Sequence, residues 1–173
     1  MPIHQEDRQP VHEFSPEERL YRRYRPEHYK GGKILPAAFQ FPKHSVTRGA
    51  FSRPEDVLHS DCARGKDVRN CGVLTMLVGS IPRGVSGTDG TKYVFSVRHE
   101  PENTCYAHSV IWCQRDGRGT AESECYDEPP ATLKEKFRIE LALGVTIAIP
   151  APSLPGERGF SSARRVVSSG PRG

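Results

Sequence analysis

Hydrophobic and polar positions alternate over residues 92–98, where Tyr93, Phe95 and Val97 share one face and Val94 and Ser96 the other. A period of two predicts a half-buried strand. Residues 107–113 predict a partner strand, with His108, Val110 and Trp112 on one face and Ala107, Ser109, Ile111 and Cys113 on the other. The run GVLTMLVGSI at 72–81 is nearly all apolar, which suits a central strand covered on both sides. Shorter strands are expected at Lys33, Ile34 and Leu35 and at residues 145–149, the latter closed by Pro150. His44, Ser45 and Val46 precede a Pro-started turn or helix over residues 54–58, while residues 61–70 and 84–90 read as loop and link.

Two stretches carry helix signals. Ser15, Pro16 and Glu18 make a capping box with proline at the first turn, and Leu20 and Tyr24 continue it up to Pro26. Thr132 and Glu135 form a second box, followed by an apolar stripe of Leu133, Phe137 and Leu141. Gly144 stands where a left-handed C-terminal cap belongs. The expected fold is α+β: a small mixed or antiparallel sheet of three to five strands with two principal helices, loop-rich, with disordered termini. Residues 1–14 read as a flexible arm, 15–150 as one domain, and 151–173 as a disordered basic tail.

Composition sharpens this division. Hydrophobic residues are 35% of 173, with 16 Gly and 15 Pro, so a loop-rich chain is expected. No run reaches the roughly 18–20 apolar residues of a membrane span, and the N-terminus has no secretory core, so no membrane partner and a cytoplasmic location are expected. Five cysteines are too few for a disulfide scaffold. The net charge is +4, but Arg158, Arg164, Arg165 and Arg172 against Glu157 place most of it in the tail. Nucleic-acid contact is therefore expected to be weak and confined to that tail.

The chemistry concentrates in RHEPENTCYAHSVIW, residues 98–112. Joined as a hairpin, its strands leave His99 and His108 at opposite ends of an eight-residue link, near its mouth. Opposed residues on such a pair have Cβ atoms about 4.5–5.5 Å apart, close enough for two imidazoles to act as acid and base. Asn103 lies in the link and Ser109 follows His108. The segment LYRRYRPEHY interleaves Arg22, Arg23, Arg25 and His28 with Tyr21, Tyr24 and Tyr29, a combination that can clamp a phosphate and stack on a base. In a helix the same residues read as tyrosines packed inward with arginines in water. No metal is expected. Zinc could be drawn from His99, Cys105, His108 and Cys113, or from His59, Asp61, Cys62 and Cys71, but neither set has paired C-x-x-C spacing. The three His-Ser pairs, at 44, 59 and 108, lack the His-x-Ser/Thr spacing of two-histidine phosphodiesterases. The Gly-x-Ser-x-Gly elbow, the Walker loop and the dinucleotide fingerprint are also missing.

Several short blocks occur in a characteristic order: Arg23, Pro26 and His28; Gly32, Lys33 and Ile34 with Ala37, Ala38 and Phe39; Ser45 and Val46; Ser52, Pro54 and Glu55; and His99, Pro101, Asn103, His108 and Ser109. In this order the chain resembles a set of small bacterial proteins of uncharacterised function, and the resemblance implies no particular reaction. The residues favour action on a phosphate-containing, nucleotide-like ligand. His99 and His108 would be its catalytic pair, with Arg25, His28, Asn103 and Ser109 binding. The alternative is a non-enzymatic binding or interaction module, for example in a defence or toxin–antitoxin locus, with a small molecule or a protein as partner.

Overall fold

The computed structural model describes residues 9–41, 43–59, 67–116 and 127–152. The expected disordered tail beyond Pro152, the first eight residues, and Asp61 and Cys62 lie outside them.

The described residues build a curled, half-barrel sheet of seven antiparallel strands with one α-helix. The strands are β1 (Arg19–Tyr24), β4 (Lys43–Arg48), β5 (Gly72–Leu77), β6 (Gly84–Ser86), β7 (Lys92–His99), β8 (His108–Arg115) and β9 (Thr146–Ile149). A separate two-stranded ribbon pairs β2 (Tyr29–Lys30) with β3 (Lys33–Ile34). Across the large sheet the order is β6-β7-β8-β4-β1-β5-β9. The helix α1 is Ala131–Leu143.

The expected fold of three to five strands and two principal helices is thereby corrected: residues 15–24 supply β1 in place of a helix, and residues 43–48, given no element in the sequence, form β4. Ser15 and Glu18 close a turn, with the Glu18 N–H donating to the Ser15 carbonyl, instead of capping a helix. The following residues pair with β5 over the whole length of β1, from Arg19 opposite Leu77 to Tyr24 opposite Gly72. Leu20 and Tyr24 reach the core as alternate residues of a strand, and Tyr21 packs on the other face with Val57 and Val73. The link at 84–90 also supplies a strand, β6, whose three residues pair with β7. Both sheet edges are short, which limits them as templates for further pairing.

The second helix forms where the sequence places it, and its stripe of Leu133, Phe137 and Leu141 is buried against the sheet. Its caps differ from expectation. Pro130 holds the N-cap position, leaving Thr132 inside the helix, and Gly144 ends it in the right-handed region with φ −87°. Phe137 stacks on Phe95 with ring centroids 3.6 Å apart, and Phe41 meets it edge-on. Strand β5 is buried from Gly72 to Met76 as expected, although it lies one strand from the edge. Its second face is covered by the 3-10 segment Pro54–Leu58.

Residues 9–14, expected to belong to a flexible arm, are held against the sheet. The Tyr106 hydroxyl donates to the Gln9 carbonyl, and Arg48 donates to the carbonyls of Val11 and Glu13. Among the described residues no helix is long and apolar enough to cross a membrane.

Candidate functional site

Strands β7 and β8 form the expected antiparallel pair, but their register separates the two histidines. His99 stands opposite Ser109, Arg98 opposite Val110, and Ser96 opposite Trp112. Opposed residues share a face and neighbours alternate, so His99 and Ser109 point to one side of the sheet and His108 to the other.

His99 is 1% exposed and both of its ring nitrogens are engaged. Nδ1 accepts from the Val11 N–H at 2.9 Å, and Nε2–H donates to the Tyr106 carbonyl at 2.6 Å. Phe51 stacks on the ring at 5.3 Å and Tyr106 meets it edge-on. Burial lowers its pKa from the ordinary value, with Arg48 and His12 adding to the effect, so the imidazole is held neutral. This environment anchors residues 9–14. On the other face, the Nδ1–H of His108 points at the Glu100 carbonyl at 2.7 Å and the Glu102 carboxylate at 3.2 Å. Asn103 is exposed at the tip of the tight turn closed by Glu102 and Cys105, and Ser109 is fully buried.

The remaining site residues do converge. Strands β1 and β4 pair only through Leu20 with Arg48 and Tyr21 with Thr47, then diverge into a fork. A cleft of about 360 Å³ opens there, and Arg25, His28 and His108 all line it together with Arg22, Arg23 and Lys43. Separated strands leave backbone carbonyls to be satisfied. Arg22 does this, donating from Nε to the Ala38 carbonyl at 3.1 Å and from Nη1 to the Ser45 carbonyl at 2.7 Å. Burial, with Arg23 beside it, pulls its pKa down to about 10, so it stays charged near neutral pH.

The cleft has a positive balance. Asp67 is the one carboxylate among its described lining residues, and it is turned to Arg69, whose hydrogen bonds pull it down to about 2. Lys43 is paired with Glu100, and Arg25 lies 3.7 Å from Glu27. Arg22 has no carboxylate partner among the described residues. Two of the five N–H donors of a guanidinium are committed to carbonyls, which leaves three. Burial lowers the pKa of His28, opposed by Glu27 and reinforced by Arg22 and Arg25.

The zinc set of His99, Cys105, His108 and Cys113 is not assembled, and the other set includes Asp61 and Cys62, which lie outside the described residues. Cys105 is disulfide-bonded. Cys113 is a free buried thiol pushed up to about 12 by burial, on the sheet face opposite His108. Among the described residues no group of three or more His, Cys, Asp or Glu could hold a metal ion.

The sequence marks Arg22 and Arg23 both as phosphate clamps and as solvent-facing residues of a helix, and it gives no signal for Lys43. The spacing of Leu20 and Tyr24 suits one face of a strand as well as a helical turn, so the local pattern does not single out the strand. Comparison with protein-family models, with curated proteins and with solved structures gives no match.

Proposed function

We propose that the fork between β1 and β4 binds the phosphate group of an anionic small molecule. The observation that carries this reading is Arg22: a charged guanidinium in the cleft wall, fixed by two carbonyls and without a carboxylate partner among the described residues. A guanidinium oriented in this way presents planar donors to phosphate oxygens with little further loss of side-chain freedom. Arg25, His28 and Lys43 lie around the same opening. A two-histidine acid–base step forms no part of the proposal, because His99 and His108 occupy opposite faces.

Isothermal titration of inorganic phosphate and pyrophosphate tests it. Binding that weakens with salt is expected, as is a loss of roughly 10- to 100-fold in Arg22→Gln, the scale of a hydrogen bond to a charged group. Because Arg22 also serves the fold, exposed Arg25→Gln is measured beside it and should weaken binding at an unchanged melting temperature. Absence of binding at millimolar ligand, or affinity indifferent to both substitutions, would overturn the reading. Location follows the state of Cys105. A persistent disulfide belongs to an oxidising compartment and a reduced thiol to the cytoplasm.

A further inference from the structure

A second cavity, of about 830 Å³, adjoins the basic cleft and shares Tyr24, Arg25, Asp67 and Cys71 with it. Its other walls are mainly apolar, with Pro26, Tyr29, Ile147 and the exit of β9 over residues 150–152, and Glu27, Lys30 and Asn70 supply the polar part. Tyr29 and Ile147 are 42% and 38% exposed, two large apolar side chains left facing outward. Small-molecule sites commonly combine an apolar wall with a few polar groups that fix orientation, in volumes of about 300–1,000 Å³.

The trough is rigidly built. Tyr24 closes over Gly72, where a Cβ would stand 2.3 Å from the tyrosine Cε1 and 2.6 Å from both the Ile149 carbonyl and the Ala151 nitrogen. The Tyr24 hydroxyl accepts from the Ala151 N–H at 2.9 Å and ties the proline-rich exit of β9 to β1. Its ring supports Tyr29 at 6.5 Å. Tyrosine and proline walls lose little conformational freedom when a flat ligand settles on them.

Resting on the reading of the cleft as a phosphate site, we propose that the trough holds the planar aromatic ring of the same ligand, stacked on Tyr29. The ligand class is then a phosphate monoester bearing an aromatic ring, of the nucleoside monophosphate kind. Arg25, common to both cavities, lies at the join between ring and phosphate.

The test titrates the full chain with inorganic phosphate, ribose 5-phosphate and the four ribonucleoside 5′-monophosphates. Stacking on an aromatic side chain is sequence-tolerant, and its usual worth corresponds to about 5- to 100-fold in affinity. At least one nucleoside monophosphate should therefore bind about tenfold or more tightly than ribose 5-phosphate. Tyr29→Ala should erase that advantage while leaving phosphate affinity unchanged, and Tyr29→Phe should keep it. Equal affinity for ribose 5-phosphate and all four nucleotides overturns the ring site and leaves the phosphate cleft standing. A nucleotide advantage indifferent to Tyr29→Ala also overturns it. If no probe binds, both proposals fall.

Discussion

Substituting Arg48 by methionine removes the guanidinium while keeping most of the side-chain volume, and the structure sets its cost. Arg48 and Glu18 are 3% and 9% exposed and form a two-pronged pair, Nε to Oε1 at 2.8 Å and Nη2 to Oε2 at 2.7 Å. The same guanidinium donates to the carbonyls of Val11 and Glu13 and lies over the rings of Phe14 and Phe51 at 3.8 and 4.9 Å. Removing one partner of a buried ion pair costs about 3–5 kcal/mol, since the other charge is left buried. Small domains have only about 5–15 kcal/mol in total, so Arg48→Met should lose a large share of the stability. Urea unfolding followed by the fluorescence of Trp112, the sole and buried tryptophan, measures it. Glu18→Gln should cost less than Arg48→Met. The double variant Arg48→Met with Glu18→Leu should cost clearly less than the two single losses added, because no charge remains stranded. A loss below about 1 kcal/mol in Arg48→Met, or strict additivity in the double variant, would show that the pair does not hold residues 9–18 to the sheet.

Two further outcomes follow from the core and its histidines. His99 and His44 are buried with pKa values below the ordinary 6.5, chiefly through desolvation, so the folded state binds fewer protons than the unfolded one. Their contribution is present above about pH 6.5 and is lost as pH falls towards the lowered values, at no more than about 1.4 kcal/mol per pH unit for each histidine. Urea midpoints at pH 7.5 and 5.5 should fall on acidification, and an unchanged or rising midpoint would contradict the neutral assignment. Phe137 is fully buried against Phe95 and Phe41, so Phe137→Ala should cost about 3–5 kcal/mol by calorimetry. Leu143→Ala, at 79% exposure on the same helix, should stay within about 0.5 kcal/mol.

How much could be read from the chain depended on whether a local pattern admitted one geometry or two. The stripe of Leu133, Phe137 and Leu141 keeps its four-residue repeat across nine positions, longer than a usual strand, and so favours a helix. Tyr93 and Phe95 are buried and alternate with the less buried Lys92, Val94 and Ser96, which fits a strand. Leu20 and Tyr24 are four apart, a spacing shared by a helical turn and by one face of a strand, and Ser15 with Pro16 tilted the reading towards helix. Pairing with β5 decided otherwise, and pairing is a long-range property that local propensity does not contain. The histidine pair failed for a related reason. Side chains alternate along a strand, so the facing of His99 relative to His108 depends on the parity of the register, and a slip of one residue reverses it. Continued outward, the pairing of Glu102 with Cys105 would set His99 opposite His108, but the register shifts by one residue between that turn and the strands, and His99 stands opposite Ser109.

The same departure from regular pairing creates both the fork and its charge. Had β1 and β4 remained paired beyond Tyr21, the Ser45 carbonyl would have faced a backbone donor and Arg22 would have had no reason to turn into the gap. A lysine there would be a compact point charge, whereas the planar guanidinium reaches Ala38 and Ser45 together and still has donors left over. In the proposed function Arg22 joins stability to recognition: the carbonyls that need it hold it in place, and that placement brings a desolvated positive charge into the cleft wall. A ligand phosphate would complete the donor set without displacing either carbonyl. This separates Arg22 from Lys43, whose charge already faces the Glu100 carboxylate.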